Sequence, residues 1–479
     1  MGCDYSGSRS YPLWYLCFFV VKFTTESTKG TTTRYQITPD HSINTSHAEG
    51  AATLKQDMRT DIKIDFVAQP LPGHLFPQLQ LAKYAKSQGM NQLRFYSCPK
   101  MRTAVESAGM GFLPILADRE NEVLDIAAHH EQIMDSFVEL LSAVDKALSV
   151  QEQFSNELRN YWKTDRPDLV VVDSLSPFAG VVADELGIPW WTVATSPSVI
   201  ETQKGTPGYL GGWQPSKNIL GKWRDALGRT FVRMFKKFAF SRFRKKIQPL
   251  GFKSVYREDG TERMYSNDVI LGLGIGELEF EDNDLPKAWH WIGPCLERPV
   301  LDHHAPQYEP GKKHILVAPG TQVRWAKERT ELICREVSRH MPDCIFHFVL
   351  NVLNDPDLKE PRKEGNLHIY EYIPFTPESF RNYDVVFNMG GIGVMYTAIL
   401  AGVPQLIMPQ SFEEQDCAAR IFVSGLGLRS HGTPASIVAE INKLLENDWY
   451  RRQADEYRQI TERYQPGKSF VELVQKKFA

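Results

Sequence analysis

The stretch from Asp384 to Gln410 constrains the fold of this chain more than any other. Asp384-Val385-Val386 leads into FNMGGIGVMYTAILAGVPQLIMPQ, a short apolar run followed by a glycine turn at Gly390, Gly391 and Gly393. A helix is predicted from Val394 to Leu400, closing at Gly402, and a second strand is predicted to begin after Pro404. That strand–turn–helix–strand unit belongs to parallel α/β architecture. It leaves backbone N–H groups and the positive end of a helix dipole where a phosphate could bind.

The same alternation runs through most of the chain. Strands are predicted at 64–68, 93–96, 169–172, 190–193 and 269–273, then at 314–318, 345–350, 367–370, 385–387 and 405–408, with helical stretches between them. Residues 296–312 carry three prolines and little apolar content, as a linker does. The expected organisation is a leader over 1–57, a first domain over 58–295, the linker 296–312, a second domain over 313–454, and a terminal helical segment over 455–479 that crosses back onto the first domain. The 479 residues, 42% hydrophobic, suffice for two domain-sized cores.

Composition removes some function classes. A formal net charge of −3 gives no bulk attraction for nucleic acid. The seven cysteines form no C-x-x-C pair and have no clustered histidines, so neither a metal site nor a disulfide framework is expected, and the thiols read as reduced and cytoplasmic. The first 57 residues read as a dispensable leader. Its apolar run from Tyr11 to Val21 is too short to span a bilayer, although Gly2 and Ser6 fit a myristoylation pattern and Cys3 could be palmitoylated. Met58 stands directly before the first convincing strand.

After that strand comes the loop Gln69-Pro70-Leu71-Pro72-Gly73-His74-Leu75-Phe76-Pro77, then an amphipathic helix ending at Gly89, with Pro77 placed in its first turn. His74 is thereby predicted on a strand-to-helix loop, at the crevice where open α/β sheets bind ligands. The run Leu169-Val170-Val171-Val172-Asp173 places Asp173 at a strand end in the same crevice, whereas Asp168 precedes the strand and belongs to the opposite end. A histidine titrates near neutrality and suits removal of a hydroxyl proton. A carboxylate on its other ring nitrogen would fix the tautomer and stabilise the imidazolium.

The P-x-x-GH-x-x-P loop, the VVVD strand end and the GG-x-G…TA…GVPQL segment together resemble family 1 glycosyltransferases of GT-B fold, nearest in pattern to the branch that glycosylates antibiotics and other natural products. The resemblance implies two doubly wound Rossmann-like domains facing each other across a cleft, with His74 as catalytic base and Asp173 as its partner. On the donor side it implies Gly320 and Thr321 in a turn, Tyr372 stacked on the base, and phosphates held at Met389, Gly390, Gly391, Gly393 and Val394. Thr397 falls at the ribose position. The acidic–Gln pair that reads sugar hydroxyls falls on Glu413 and Glu414 without a gap, or on Glu414 and Gln415 with one insertion. Met389 replaces the family's phosphate-facing histidine, so Met389→His is expected to strengthen donor binding.

The function expected from these features is inverting transfer of a sugar from a nucleoside diphosphate to a hydroxyl of a hydrophobic small molecule, in terpenoid or polyketide biosynthesis. No cofactor or metal is expected. A UDP-sugar is the first donor candidate, ahead of GDP- and TDP-sugars, and Trp190, Trp191, Tyr209 and Trp213 are the aromatic acceptor-side candidates. The rival is a non-catalytic GT-B-like auxiliary or scaffold protein with an eroded donor site. A nicotinamide dehydrogenase fits poorly, because Pro409-Gln410 stands where its fingerprint needs an acidic residue. The stretch from Lys222 to Lys246 holds ten basic residues against Asp225 alone, interleaved with aromatics. It reads either as a helix at an anionic membrane surface, a peripheral contact, or as a helix covering the acceptor crevice.

Overall fold

Runs of apolar residues buried on both faces build two parallel sheets, as strands covered by helices on either side must be. In the computed structural model, which describes residues 59–128, 137–196, 200–297, 306–320, 324–350, 361–410 and 412–479, each sheet has seven strands. The leader 1–57, Met58, Thr321 and residues 298–305 of the linker lie outside the described residues.

The first sheet contains β1 (Ile64–Val67), β2 (Leu93–Ser97), β3 (Gly111–Pro114), β4 (Leu169–Asp173), β5 (Trp190–Ala194), β6 (Ile270–Gly272) and β7 (Trp289–Trp291). Their order is β3-β2-β1-β4-β5-β6-β7, all parallel. The second contains β8 (Lys313–Ala318), β9 (Cys344–Val349), β10 (Arg362–Glu364), β11 (Leu367–Tyr370), β12 (Val385–Asn388), β13 (Gln405–Ile407) and β14 (Gly427–Arg429), ordered β10-β11-β9-β8-β12-β13-β14. Only the β10–β11 hairpin is antiparallel. Both sheets reverse their winding direction once, between β1 and β4 and between β8 and β12. Ligands of open α/β sheets bind at such a point.

Four of these strands have no counterpart in the sequence reading: β3, β7, β10 and β14. Each lies at or beside a sheet edge and is short, and β3, β7 and β10 are only partly covered, so none carries a continuous apolar run. Trp190 and Trp191 occupy the cores on opposite faces of β5 instead of facing an acceptor. Their indole N–H groups donate to Asp184 at 2.7 Å and Asp268 at 3.0 Å. The alternation of a fully buried strand sends successive side chains into opposite cores, which a sequence of two tryptophans cannot by itself reveal.

The two halves meet through apolar and charged contacts. Ile275 and Leu278, just after β6, share a core cluster with Met395, Tyr396 and Ile399 of the helix Ile392–Ala401. The Tyr396 hydroxyl accepts from the Ile275 N–H at 3.2 Å, and Arg420 pairs with Glu279 at 2.8 Å. The terminal segment is two helices rather than one. Asp448–Thr461 packs on Ile392–Ala401, and Pro466–Phe478 crosses to the helix Pro72–Ser87.

Phe470 on that last helix is fully buried in the first sheet's core, its ring 5.9 Å from Phe66 and 6.1 Å from Trp191. Phe470→Ala is expected to cost about 3–5 kcal/mol of stability, read as a lower midpoint in urea unfolding followed by tryptophan fluorescence. An unchanged midpoint would mean that the crossing helix does not stabilise the first half.

Candidate active site

The helix carrying His74 starts at Pro72, not after Pro77. Pro72 takes the first helical position, where its missing N–H costs no hydrogen bond, and Pro77 is accommodated inside the helix. His74 therefore sits in the first turn of a helix instead of on a loop. Its Nδ1 lies 3.1 and 3.0 Å from the two oxygens of Asp173. Gly89 follows the helix with φ +93°, as expected of a residue closing it.

Asp173 ends β4 with no exposed surface and is held on several sides. It accepts from the Leu175 N–H at 2.8 Å and from Gln78 Nε2 at 3.2 Å. Gln78 is one helical turn after His74, on the same face of the helix. Sequence reasoning missed it because a helix begun at Pro77 hides the i, i+4 relation. Gln69, which donates to Ser176 Oγ at 2.7 Å, braces the two loops below. Asp168 lies at the other end of the sheet, accepting from the Lys63 N–H at 2.8 Å.

The His74 side chain retains 18% of its surface. Burial alone would lower its pKa, but the charge and hydrogen bond of Asp173, assisted by the charge of Glu413, outweigh it and hold the imidazole above its usual 6.5. With Nδ1–H committed to Asp173, the Nε2 lone pair is left for an incoming hydroxyl. The influence of Glu413 comes from the second half, on the helix Phe412–Val423.

On the donor side the structure separates backbone from side chains. Gly390 has φ +95° and packs against Glu414, an arrangement that a Cβ would crowd. Its N–H is already bonded to Asn388 Oδ1 at 2.7 Å. Gly391 is exposed with open space around it, and Gly393 is partly exposed in the first turn of the helix Ile392–Ala401. Gly320 lies past the end of β8 with φ +89° and open space before it. Tyr372 is half-buried beyond the end of β11.

Three of the predicted side chains do not face a ligand. Met389 is 3% exposed in the core under the second sheet, its Sδ 3.6 Å from Gln410 Nε2. Val394 is buried in the core on the other side. Thr397 is 1% exposed, and its hydroxyl donates to the Gly393 carbonyl at 2.6 Å within its own helix. The apolar character of the whole helix explains this: a helix enclosed by a sheet, the interdomain contact and the helix Asp448–Thr461 has little surface left for ligands.

The ambiguous acidic segment resolves into separate roles. Glu414 accepts from the Gln410 N–H at 2.7 Å, and Gln415 is bonded to Arg429. Asp416, which the sequence reading passed over, accepts from the Tyr209 N–H at 2.8 Å. Burial pushes its carboxyl up to about 6, against the pull of Arg420 and of that N–H. Tyr209, with φ +66°, belongs to a strap from the first half that lies on the helix Phe412–Val423. Arg429 donates to the Gly211 carbonyl at 3.0 Å, and Gly212 approaches the Gln415 backbone so closely that any Cβ would overlap it. Tyr209 is thus a buried interdomain residue, and Trp213 beside it is stacked under Arg224.

Among the described residues no cluster of histidine, cysteine and acidic side chains could hold a metal, and the five cysteines are free and buried. No helix among them is long and apolar enough to cross a membrane.

Because Met389 is a core residue, Met389→His is now expected to place an imidazole among apolar side chains and lower the unfolding midpoint, by about 1–3 kcal/mol, without tightening donor binding. Calorimetric titration with nucleoside diphosphates, paired with thermal unfolding, checks both. Tighter binding at unchanged stability would return position 389 to the ligand site.

No family model matches the chain. It is 22% identical over 302 residues to "UDP-glycosyltransferase 2" of Phaeomoniella chlamydospora, covering 60% of this chain and 66% of that protein. It is 23% identical over 382 residues to 4'-demethylrebeccamycin synthase of Lentzea aerocolonigenes, covering 75% and 85%. To the zeaxanthin glucosyltransferase of Pantoea ananas it is 21% identical over 401 residues, covering 81% and 90%. Among solved structures, the glycotransferase of kitacinnamycin superposes with a TM-score of 0.67 at 19% identity, covering 88% of this chain and all of that one. The spinosyn rhamnosyltransferase complexed with thymidine diphosphate superposes at 0.58 with 14% identity, covering 86% and all of that chain. The chain thus has the fold of GT-B glycosyltransferases, and in sequence it is similar, at 21–23% identity, to UDP-glycosyltransferases and natural-product glycosyltransferases.

Proposed function

We propose that this protein transfers a sugar from a nucleoside diphosphate to a hydroxyl of an apolar small molecule, with inversion at the anomeric carbon. The observation that carries the reading is the His74–Asp173 pair at the switch point of the first sheet, with the charge of Glu413 reaching it from the second half. His74 Nε2 takes the acceptor proton as the acceptor oxygen attacks the anomeric carbon. The bond from that carbon to the diphosphate breaks, and Asp173 steadies the imidazolium. A single displacement of this kind inverts the centre.

The leaving diphosphate is received by the backbone N–H groups and dipole at the start of the helix Ile392–Ala401, near Gly391, Gly393 and the backbone of Val394. Gly320 and Tyr372 stand at the corresponding edge, where the nucleoside would lie. Glu413, whose charge reaches His74, is the residue of the acidic segment we assign to the sugar hydroxyls, while Glu414 bonds the Gln410 N–H and Gln415 bonds Arg429. The relatives named for rebeccamycin and zeaxanthin chemistry support a natural-product acceptor and secondary metabolism. A UDP-sugar remains the first donor candidate. The burial of Met389 and Thr397 is the observation that favours a second reading, a GT-B-like partner protein that binds no donor.

A thermal-shift series with UDP-, GDP- and TDP-sugars separates the two readings. At a ligand concentration about one hundred times Kd, binding adds about 2.7 kcal/mol of stability, so one donor class should raise the midpoint clearly. No shift from any of them favours the partner reading. In the enzyme reading, His74→Ala should lower turnover about 10²–10⁴-fold with folding intact, and Asp173→Asn should act in the same direction. Wild-type turnover by His74→Ala would discard the base assignment.

The raised pKa of His74 sets the pH dependence. A base must be deprotonated, so kcat/KM should rise with pH through an apparent pKa above 6.5 and level off beyond it. Removing a nearby negative charge disfavours the imidazolium, so Glu413→Gln should move that limb to lower pH. A profile unmoved by Glu413→Gln would show that the two groups do not communicate across the cleft.

A further inference from the structure

The 29-residue helix Ile219–Ile247 has two apolar faces, and only one of them is used by the fold. Gly221, Asp225, Gly228, Val232, Ala239 and Phe243 are among the residues on its buried face. A second stripe, Leu220, Trp223, Leu227, Phe231, Met234 and Phe238, recurs at three- and four-residue spacing and points outward. Trp223 is 64% exposed, Leu227 65%, Met234 66% and Phe238 68%. Among the described residues, seven of the twelve large apolar side chains that are exposed lie on this one helix, counting Ile219. Such a concentration marks an interaction surface rather than scattered surface apolarity.

Charge identifies the occupant. Asp225 is the only acidic residue of the helix, and it is buried against Arg224. The basic residues on the packed side are engaged: Arg233 donates to the Gly260 carbonyl, and Lys236 is buried between Glu201 and Glu262. Lys222, Lys237, Arg242, Arg244 and Lys245 remain exposed. On a helical projection Lys237 and Arg244 flank the apolar stripe on one side and Arg242 on the other, while Lys245 continues its line. The chain as a whole carries a net −3, so this positive strip is local.

We propose that the helix Ile219–Ile247 docks the protein on an anionic lipid surface. Its outward apolar stripe inserts at the boundary between headgroups and acyl chains, and the flanking lysines and arginines contact lipid phosphates. An in-plane helix about 43 Å long, with an apolar stripe flanked by cations, has the geometry that interfacial binding requires. The inference does not depend on the glycosyl-transfer reading, since it concerns a surface and not the catalytic pair.

The test is flotation of the full chain with vesicles of phosphatidylcholine alone and of phosphatidylcholine mixed with phosphatidylglycerol. The wild type should float with the anionic vesicles and far less with the neutral ones, and added salt should weaken the association. A variant combining Lys237→Gln, Arg242→Gln and Arg244→Gln should lose about a hundredfold in vesicle affinity, at roughly fivefold per basic residue. A second variant combining Leu227→Ser, Met234→Ser and Phe238→Ser should lose at least as much. All six side chains are exposed, so both variants should unfold at the wild-type temperature. Failure of the wild type to bind anionic vesicles would overturn the proposal. Undiminished binding by both variants would also overturn it, by moving the contact to another segment such as Tyr11–Val21. If the serine variant instead dissociates a dimer seen by light scattering while vesicle binding is unchanged, the stripe belongs to a second copy of the chain and the proposal fails.

Discussion

The hydrogen bond between His74 Nδ1 and the Asp173 carboxylate couples the chemistry of this protein to its topology. Neither residue is near the other in sequence, and they meet because β1 and β4 are adjacent where the first sheet reverses its winding. Helices following these two strands leave the sheet on opposite sides, so the groove between their starting points stays open. A buried carboxylate there must be satisfied or it destabilises the fold. Asp173 is satisfied by the Leu175 N–H, by Gln78 and by His74, and the same bonds that stabilise it hold the imidazole in one orientation.

At its own switch point the second half presents main chain more than side chains. Where its sheet reverses, between β8 and β12, the side chains that a phosphate or ribose could meet have turned into the core or been absorbed by the helix. Met389 packs, Thr397 bonds its own backbone, and the Gly390 N–H is bonded to Asn388. What remains toward the cleft is the open turn at Gly391, the start of an apolar helix, and Gly320 opposite. Backbone groups are insensitive to substitution, so this half can drift in sequence while the shape of its switch point persists. The fold and the low identity to its relatives are compatible on that ground.

Much of this was legible because it is written in period and punctuation. Continuous apolar runs located the central strands, Gly89 and Gly402 marked helix ends, and the placement of His74 after the first strand and of Asp173 at the end of the third one recognised assigned both to one crevice. What stayed hidden depends on three-dimensional partners. Pro77 reads as a helix start by local preference, yet Pro72 serves better and leaves Pro77 to be tolerated inside. Trp190 and Trp191 look like a ligand's aromatic wall but are divided between two cores by the pleat of β5. Met389 stands beside a glycine turn, and only the packing around Gln410 and the second sheet decides which way it faces. The strap from Tyr209 to Gly212 lies on a helix more than two hundred positions away, and no local signal announces such a docking.

The helix Pro466–Phe478 has a temporal consequence. The core beneath the first sheet includes Phe470, Val471 and Val474 from this helix, beside Phe66, Leu75 and Leu79. Gln475 also accepts from the Arg59 N–H, a contact spanning 416 positions. As the chain emerges from the ribosome, β1 to β7 appear long before the piece that completes their core. The first half therefore waits through synthesis of the second with an apolar cavity facing solvent, and it reaches its final packing only after the second half has been made. Folding in the cell then follows the order in which cores can be closed, not the order in which domains are translated, and the nascent first half is the species a chaperone would meet.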